Sequence, residues 1–288
     1  MISVLICSRD GNYAQLKQNI LMTCGVPVEV VAYDNSRDRL GICAVYNQLL
    51  SKCAGEICCF AHDDILFLKS GWGKELTNVL AQPSVGLVGV AGCDLISRTA
   101  VPWWVVGRKF TFMSVVSSFD RTGKPRQKAN HRKSGLYPAV ILDGVFLAAR
   151  HEVFRTLSFD ETSFPGFHFY DLDLSMQISK KAALIIDCNI PIYHASEGKY
   201  DLSWQNDLQS FLVKWKTVLP ACVSFRKAYE VASALEMCEG VYHATNRNLC
   251  ESTRYFLRAM LRDPLQLPLY HTIKKLFFNS LLFPSTSD

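Results

Sequence analysis

The chain has 288 residues, 49% of them apolar, with 31 Lys and Arg against 26 Asp and Glu. That content supports a sizeable buried core and excludes wholesale disorder, and a net charge of +5 falls short of the dense basic face of a nucleic-acid binder. Eleven cysteines, several inside apolar runs (Cys7, Cys58, Cys59, Cys93, Cys188), read as reduced core thiols of a cytoplasmic protein rather than as a disulfide framework.

In chain order, residues 2–7 are apolar but for Ser3 and predict a buried strand. The opening lacks the basic start of a signal peptide, and no apolar stretch reaches the roughly 20 residues that span a bilayer. Asn12, with Gln15 three residues on, predicts a capped helix over 13–22. Residues 28–33 predict a second strand closed by Asp34-Asn35-Ser36, residues 42–53 a helix, and residues 56–61 a third strand ending at His62-Asp63-Asp64. A helix over 74–80 and a strand over 85–90 continue the alternation. Such alternation predicts βαβ units, a mostly parallel sheet with helices on both faces, and ligand binding at the C-terminal ends of the strands.

Residues 95–138 break the rhythm. Positions 121–133 hold six Lys or Arg and no acid, a loop suited to a phosphate-bearing ligand or simply to solvent. Short strands over 139–142 and 145–149 flank Asp143-Gly144. A helical stretch over 151–157, a helix over 171–181, a strand over 183–187 and an amphipathic helix over 203–218 follow. Beyond Pro220 only helices are expected, ending in a short apolar segment at 274–283 led by Lys274 and Lys275.

Five sites could carry chemistry. The acids of His62-Asp63-Asp64 end an apolar strand at the ligand edge, where carboxylates suit a hard divalent cation bridged to substrate phosphates; the plain alternative is a solvated turn. Asp34 ends the second strand, where an acid can bond a nucleoside, although Asp34-Asn35-Ser36 is also good turn chemistry. Ser8 and Arg9 close the first strand with polar groups but no Gly-rich phosphate loop, which argues against dinucleotide oxidoreductases and P-loop enzymes. Asp171 and Asp173 straddle a helix start among aromatics, so that one, Asp171, suits a general base and the other a capping or supporting acid. His194, after a strand-like stretch and before Ser196 and Gly198, is a structural histidine or a third metal ligand.

In this order, over residues 1–205, these elements resemble the GT-A glycosyltransferases of the family 2 type. The opening strand, Asp34, a DxD-like motif in Phe60-Ala61-His62-Asp63-Asp64-Ile65, Asp143-Gly144, and Tyr170-Asp171-Leu172-Asp173-Leu174 in place of an "ED" motif each find a counterpart. His62 ahead of the acids is similar to a bacterial subgroup with an H-x-D motif whose last acid, here Asp64, takes the metal. Two departures stand out: His62 occupies the place of the motif's first Asp, and Tyr170 replaces the acid that precedes the base.

The resemblance implies an α/β GT-A fold with a catalytic domain over 1–219 and a helical extension over 220–288. It implies an inverting hexosyl- or N-acetylhexosaminyltransferase acting in bacterial surface polysaccharide synthesis. The donor would be a nucleotide-sugar, UDP-linked, and the acceptor a glycan or a lipid-linked glycan. Asp171 would be the catalytic base. Asp64 and His194 would hold Mn²⁺ or Mg²⁺ with Asp63 in support, and Ser8, Arg9, Asp34, Asp63, Asp143 and Gly144 would contact the nucleotide-sugar. The C-terminal helices would dock on the inner face of the membrane, on the catalytic domain or on a second copy in a homodimer. Two alternatives remain: a catalytically degenerate binding or scaffold subunit, suggested by Tyr170, and a nucleotidyltransferase, which would need a Gly-rich basic signature near the first strand.

Overall fold

The computed structural model describes residues 1–119, 125–127, 134–196, 201–223 and 225–264. Most of the basic stretch at 121–133 and all of the segment at 274–283 lie outside the described residues, as does Gly198. The chain divides into two compact units, residues 1–92 with 112–198, and residues 93–111 with 199–288.

The first unit opens as β1 (Ile2–Ser8), α1 (Ala14–Thr23), β2 (Val28–Asp34), α2 (Ile42–Leu50), β3 (Ile57–Ala61), β4 (Ile65–Phe67), α3 (Trp72–Leu80) and β5 (Val85–Gly89). Short strands β6 (Ala91–Cys93), then β7 (Leu95–Ile96), which belongs to the second unit, and β8 (Thr111–Met113) lead to β9 (Val115–Phe119), β10 (Pro125–Gln127), β11 (Leu136–Ala139), β12 (Ile141–Leu142) and β13 (Phe146–Arg150). A turn of 3₁₀ helix at His151–Arg155, α4 (Tyr170–Ser179), β14 (Ala183–Asp187) and β15 (Ile192–His194) complete it.

Seven strands form the main sheet in the order β11-β14-β5-β13-β3-β1-β2. β1 runs parallel to both β2 and β3, and β14 parallel to β5, while β13 and β11 run against their neighbours. The sheet is therefore mixed but mostly of one direction, as the alternation of elements predicts. The apolar runs of β1 and β3 explain their central places. Val4, Leu5 and Ile6 on β1 and every residue from Cys58 to Ala61 on β3 are fully buried, so helices cover both faces and no inside-outside alternation survives. The adjacent thiols of Cys58 and Cys59, on opposite faces of β3, are both packed in core.

A second sheet, in the order β10-β9-β15-β4, stands in the same unit. Its β15–β4 pairing is antiparallel and sets His194 opposite Ile65, the residue after Asp64. Beneath β3 lies an aromatic cluster. Tyr46 on α2 packs edge-on against Phe60 at 4.9 Å between ring centroids, Phe159 meets Phe60 at the same 4.9 Å, and the Tyr46 hydroxyl donates to the Ala61 carbonyl at 3.4 Å. Rings at these separations add aromatic contact energy to a large buried area.

Local details depart from expectation in two places. Asn12 does not cap α1: the cap position is Tyr13 without a side-chain bond, and the Asn12 N–H is taken instead by Asp10 Oδ1 at 2.9 Å. An Asx turn at Asp10 thus uses the group a capping box would need. Nor does Asp173 cap α4; it is buried and accepts a 2.7 Å bond from Gln177 Nε2 one turn on. The helix begins after Phe169, which takes a left-handed conformation at φ 61, costly for a bulky residue and typical of a turn constrained from both sides.

The second unit holds α5 (Leu202–Trp215), β16 (Ala221–Cys222), α6 (Ala228–Thr245) and α7 (Leu249–Arg262), with β16 pairing against β7. The amphipathic stretch expected over 203–218 is α5, capped by Asp201, whose carboxylate accepts from the Ser203 and Trp204 N–H groups. Lys109 bridges Glu230 and Asp263, each at 2.8 Å. Among the described residues no helix is long and apolar enough to cross a membrane.

Candidate functional site

The C-terminal ends of β1, β2 and β3 bring the first acids and polar groups to one edge. Ser8 is in register with Asp34 across the β1–β2 pair, and β3 ends one residue before His62. The antiparallel β13 returns beside β3, with Phe146 opposite Ala61, so that Asp143-Gly144-Val145 arrives at the same edge. The His62 N–H bonds the Val145 carbonyl at 3.3 Å. β15 then delivers His194, and α4 delivers Tyr170 and Asp171.

His62, Asp64 and His194 form one cluster whose ligand atoms all lie within 4.8 Å of one another. His62 Nδ1 stands 3.3 Å from His194 Nε2, and His194 Nε2 stands 3.3 Å from Asp64 Oδ1. Ligand atoms about 2.1 Å from a common ion and set roughly at right angles would stand about 3 Å apart, so this spacing fits a metal. Asp64 Oδ1 is buried and accepts no well-formed hydrogen bond, as expected of an oxygen reserved for a cation. Burial alone would raise the Asp64 carboxyl, but the His194 ring and Ser196 hold it well below the usual carboxylate range. Its other oxygen accepts the Ser196 N–H at 3.1 Å. Burial and the neighbouring His194 ring push the His62 imidazole down to about 4, so it is neutral at physiological pH, the form that can bind a metal.

Asp63 points elsewhere. Its Oδ2 accepts the Arg9 N–H at 2.8 Å, and its Oδ1 lies 3.3 Å from the Arg9 guanidinium, which reaches Asp64 Oδ2 at 3.6 Å. The Arg9 side chain is 60% exposed, free to meet an anion arriving above the acids. The structure thus groups His62 with Asp64 and His194, where the sequence pointed to Asp63 as the supporting residue.

Asp171 is held by backbone. Its Oδ2 accepts the Gly144 N–H at 2.7 Å and its Oδ1 the Leu172 N–H at 2.9 Å, leaving each oxygen a further lone pair. Burial, with the Asp143 carboxylate nearby, pushes Asp171 up to about 7. A carboxyl tuned to that range is suited to take a proton near neutral pH. Asp143 Oδ1 accepts the Val145 N–H at 3.0 Å, which fixes the turn carrying Gly144. The Tyr170 hydroxyl completes the group, donating to the Gly144 carbonyl at 3.0 Å and meeting His62 Nε2 at 3.1 Å. Phe167 stands over the same edge, 43% exposed, with its ring 5.5 Å from that of His62.

Asp34 lies at the outer part of the edge, exposed, with Oδ1 accepting the Ser36 N–H at 3.0 Å. The Ser36 side chain, with that backbone bond, holds its carboxyl below the ordinary value. A Cβ on Gly11 would stand 2.8 Å from Asp34 Oδ2, so the absence of a side chain there leaves the acid its place. Ser8 Oγ is buried without a hydrogen-bond partner. Ser8, Arg9, Asp34, Asp63, Asp64, Asp143, Gly144, Asp171 and His194 all fall at this edge. His62 and Tyr170 join them. His62 looked from sequence like a lost acid, and Tyr170 like a lost partner of the base. A histidine at a strand end directly before paired acids is the signal that could have flagged the first.

A family model described as "Glycosyltransferase like family" matches residues 3–214. No curated protein matches the chain in sequence. Among solved structures, a mannosyltransferase from Pyrobaculum calidifontis in complex with GDP-mannose and Mn²⁺ superposes with a TM-score of 0.50 at 14% identity, covering 97% of this chain and 80% of that one. GalNAc-T7 with UDP, GalNAc and Mn²⁺ gives a TM-score of 0.53 at 11% identity, covering 96% of this chain and 58% of that one. At such identities the likeness is one of fold, and the fold is that of GT-A glycosyltransferases.

Proposed function

The chain belongs to the glycosyltransferase-like family, and from that premise we propose that it is an inverting, metal-dependent transferase that moves a sugar from a nucleotide-sugar to an acceptor hydroxyl. The observation that carries this reading is the meeting of a two-histidine, one-carboxylate cluster with a backbone-held carboxyl of raised pKa at one sheet edge. His62, Asp64 and His194 would hold the ion. The ion supplies neutralisation of the leaving diphosphate. Two imidazole nitrogens and one carboxylate suit Mn²⁺ better than Mg²⁺, which prefers oxygen.

Asp34 and Ser8 are the proposed contacts to the nucleoside. Arg9, steadied by Asp63, is placed to meet the diphosphate. Asp143 and Gly144 shape the wall on which the sugar rests. Asp171 takes the proton from the acceptor hydroxyl as that oxygen attacks the anomeric carbon from the face opposite the nucleotide. Positioning and electrostatic complementarity supply most of the rate in such chemistry. The donor is proposed to be a UDP-sugar and the acceptor a glycan or lipid-linked glycan of a bacterial surface polysaccharide. We place the protein in the cytoplasm with its C-terminal helices toward the membrane face. The outward side of α7 exposes Leu249, Leu257, Met260 and Leu261 beside Arg254 and Arg258, which suits an anionic surface.

Incubation with UDP-, GDP- and CDP-sugars and Mn²⁺, Mg²⁺ or EDTA tests the reading. Slow, metal-dependent release of one nucleoside diphosphate supports it and identifies the donor. Absence of both hydrolysis and binding for every donor with every metal would favour the degenerate binding subunit.

A further inference from the structure

We infer that Tyr170 is a positioning residue of the metal site, its hydroxyl fixing the tautomer of His62 so that Nδ1 presents a lone pair to the ion. The inference deepens the glycosyltransferase reading and rests on it for the identity of the ion alone. A phenol has one proton to give. The Gly144 carbonyl can only accept, and it receives that proton at 3.0 Å. His62 Nε2, at 3.1 Å from the same oxygen, must then be the donor. A neutral imidazole protonated at Nε2 carries its lone pair on Nδ1. Nδ1 is the nitrogen that faces His194 Nε2 at 3.3 Å, inside the cluster completed by Asp64. The opposite tautomer would aim an N–H at the ion and exclude it.

Packing keeps the phenol in place. Its ring is flanked by Tyr46, Phe159 and Phe167, with centroids at 5.9, 6.2 and 6.2 Å. The residue itself is 3% exposed, so water does not compete for the hydroxyl. The arrangement also joins the two halves of the site. Consecutive residues of α4 use both backbone groups of Gly144, Tyr170 its carbonyl and Asp171 its N–H. A tyrosine where the family resemblance leads one to expect an acid is therefore an exchange of hydrogen-bond partner. An acid there would accept from His62 as well, but it would add a buried negative charge beside Asp171.

Two donor-free measurements test this. In metal-free wild-type protein, long-range ¹H–¹⁵N correlation spectra should show His62 as the Nε2–H tautomer; an Nδ1–H pattern overturns the inference outright. In Tyr170→Phe, which keeps the ring and loses the hydroxyl, the Mn²⁺ Kd read from the free-ion EPR signal should rise by about 10–100-fold, the range typical of a lost outer-shell partner. The melting temperature of the metal-free variant should fall by only a few degrees, the cost of leaving the Gly144 carbonyl and the His62 Nε2–H without the phenol. Wild-type Mn²⁺ affinity in Tyr170→Phe, with His62 still in its original tautomer, overturns the proposal. If the wild type shows the Nε2–H tautomer but binds no Mn²⁺, the metal-dependent transferase reading fails while the tautomer assignment stands.

Discussion

The Gly144 N–H donates to Asp171 Oδ2 at 2.7 Å, a contact between residues 27 apart in sequence. It fixes the carboxylate in one orientation on a backbone donor that no side-chain mutation removes. Asp171→Asn keeps an oxygen for that bond but loses the basic lone pair. We expect turnover to fall by about 10²–10⁴-fold, the usual contribution of a general base, with nucleotide-sugar and Mn²⁺ affinities near wild type. Single-turnover kinetics beside calorimetric binding read the two separately, and undiminished turnover would move the base elsewhere.

The raised pKa of Asp171 has two signatures of opposite sense. As the proposed base, Asp171 must be ionised to act, so kcat/KM of the wild type should climb with pH and level off above an apparent pKa near 7. Stability should run the other way. The folded state binds the proton more tightly than the unfolded chain, about 7 against 3.8, so this group's contribution is fully present below the unfolded value and is lost as pH rises through the folded one. Denaturant melts at pH 5 and pH 8 should therefore show Asp171→Asn gaining on wild type at the higher pH, and an equal difference at both would contradict the assignment.

On the proposed reading, metal binding should separate the two acids of the 62–64 segment. Asp64→Asn and His194→Ala should abolish measurable Mn²⁺ binding. Asp63→Asn should retain it and raise donor KM instead, because Asp63 is bonded to Arg9 and stands outside the cluster. A calorimetric titration in which Asp63→Asn loses the ion as fully as Asp64→Asn would reject this division.

Gly144 has no room for a side chain. A Cβ there would come within 2.1 Å of the Tyr170 hydroxyl and 3.1 Å of Asp171 Cβ. Gly144→Ala should lower stability by about 1–3 kcal/mol, the cost of overpacking a tight site, and should also weaken Mn²⁺ binding by dislodging the phenol. A variant with wild-type melting temperature and metal affinity would show that this contact is softer than the geometry implies.

The sequence made some of this legible and hid the rest for physical reasons. β1 and β3 announce themselves because strands buried on both faces are almost wholly apolar, and acids that end such strands fall at the ligand edge wherever the chain goes next. Asp34, Asp64 and Asp171 were placed on that basis and on the family resemblance. His62 and Tyr170 were read as departures because each has meaning only beside a residue far away: His62 lies 132 positions from His194 and 108 from Tyr170. Asn12 misled for the opposite reason. Its capping pattern was local and complete, yet Asp10, two residues back, captured its N–H first.

The order in which the chain is made bears on when the site can exist. The ligand atoms of His62 and His194 meet only after β15 has paired with β4, closing a stretch of 132 residues. No fragment ending before His194 can close the cluster, so on the proposed reading a nascent chain would pass most of its synthesis unable to retain the ion. Once closed, the cluster would let a bound cation favour the native state by mass action, worth about 2.7 kcal/mol at a hundredfold excess over Kd. The ion would then act as a latch between early and late segments of the chain, coupling completion of the fold to readiness for chemistry.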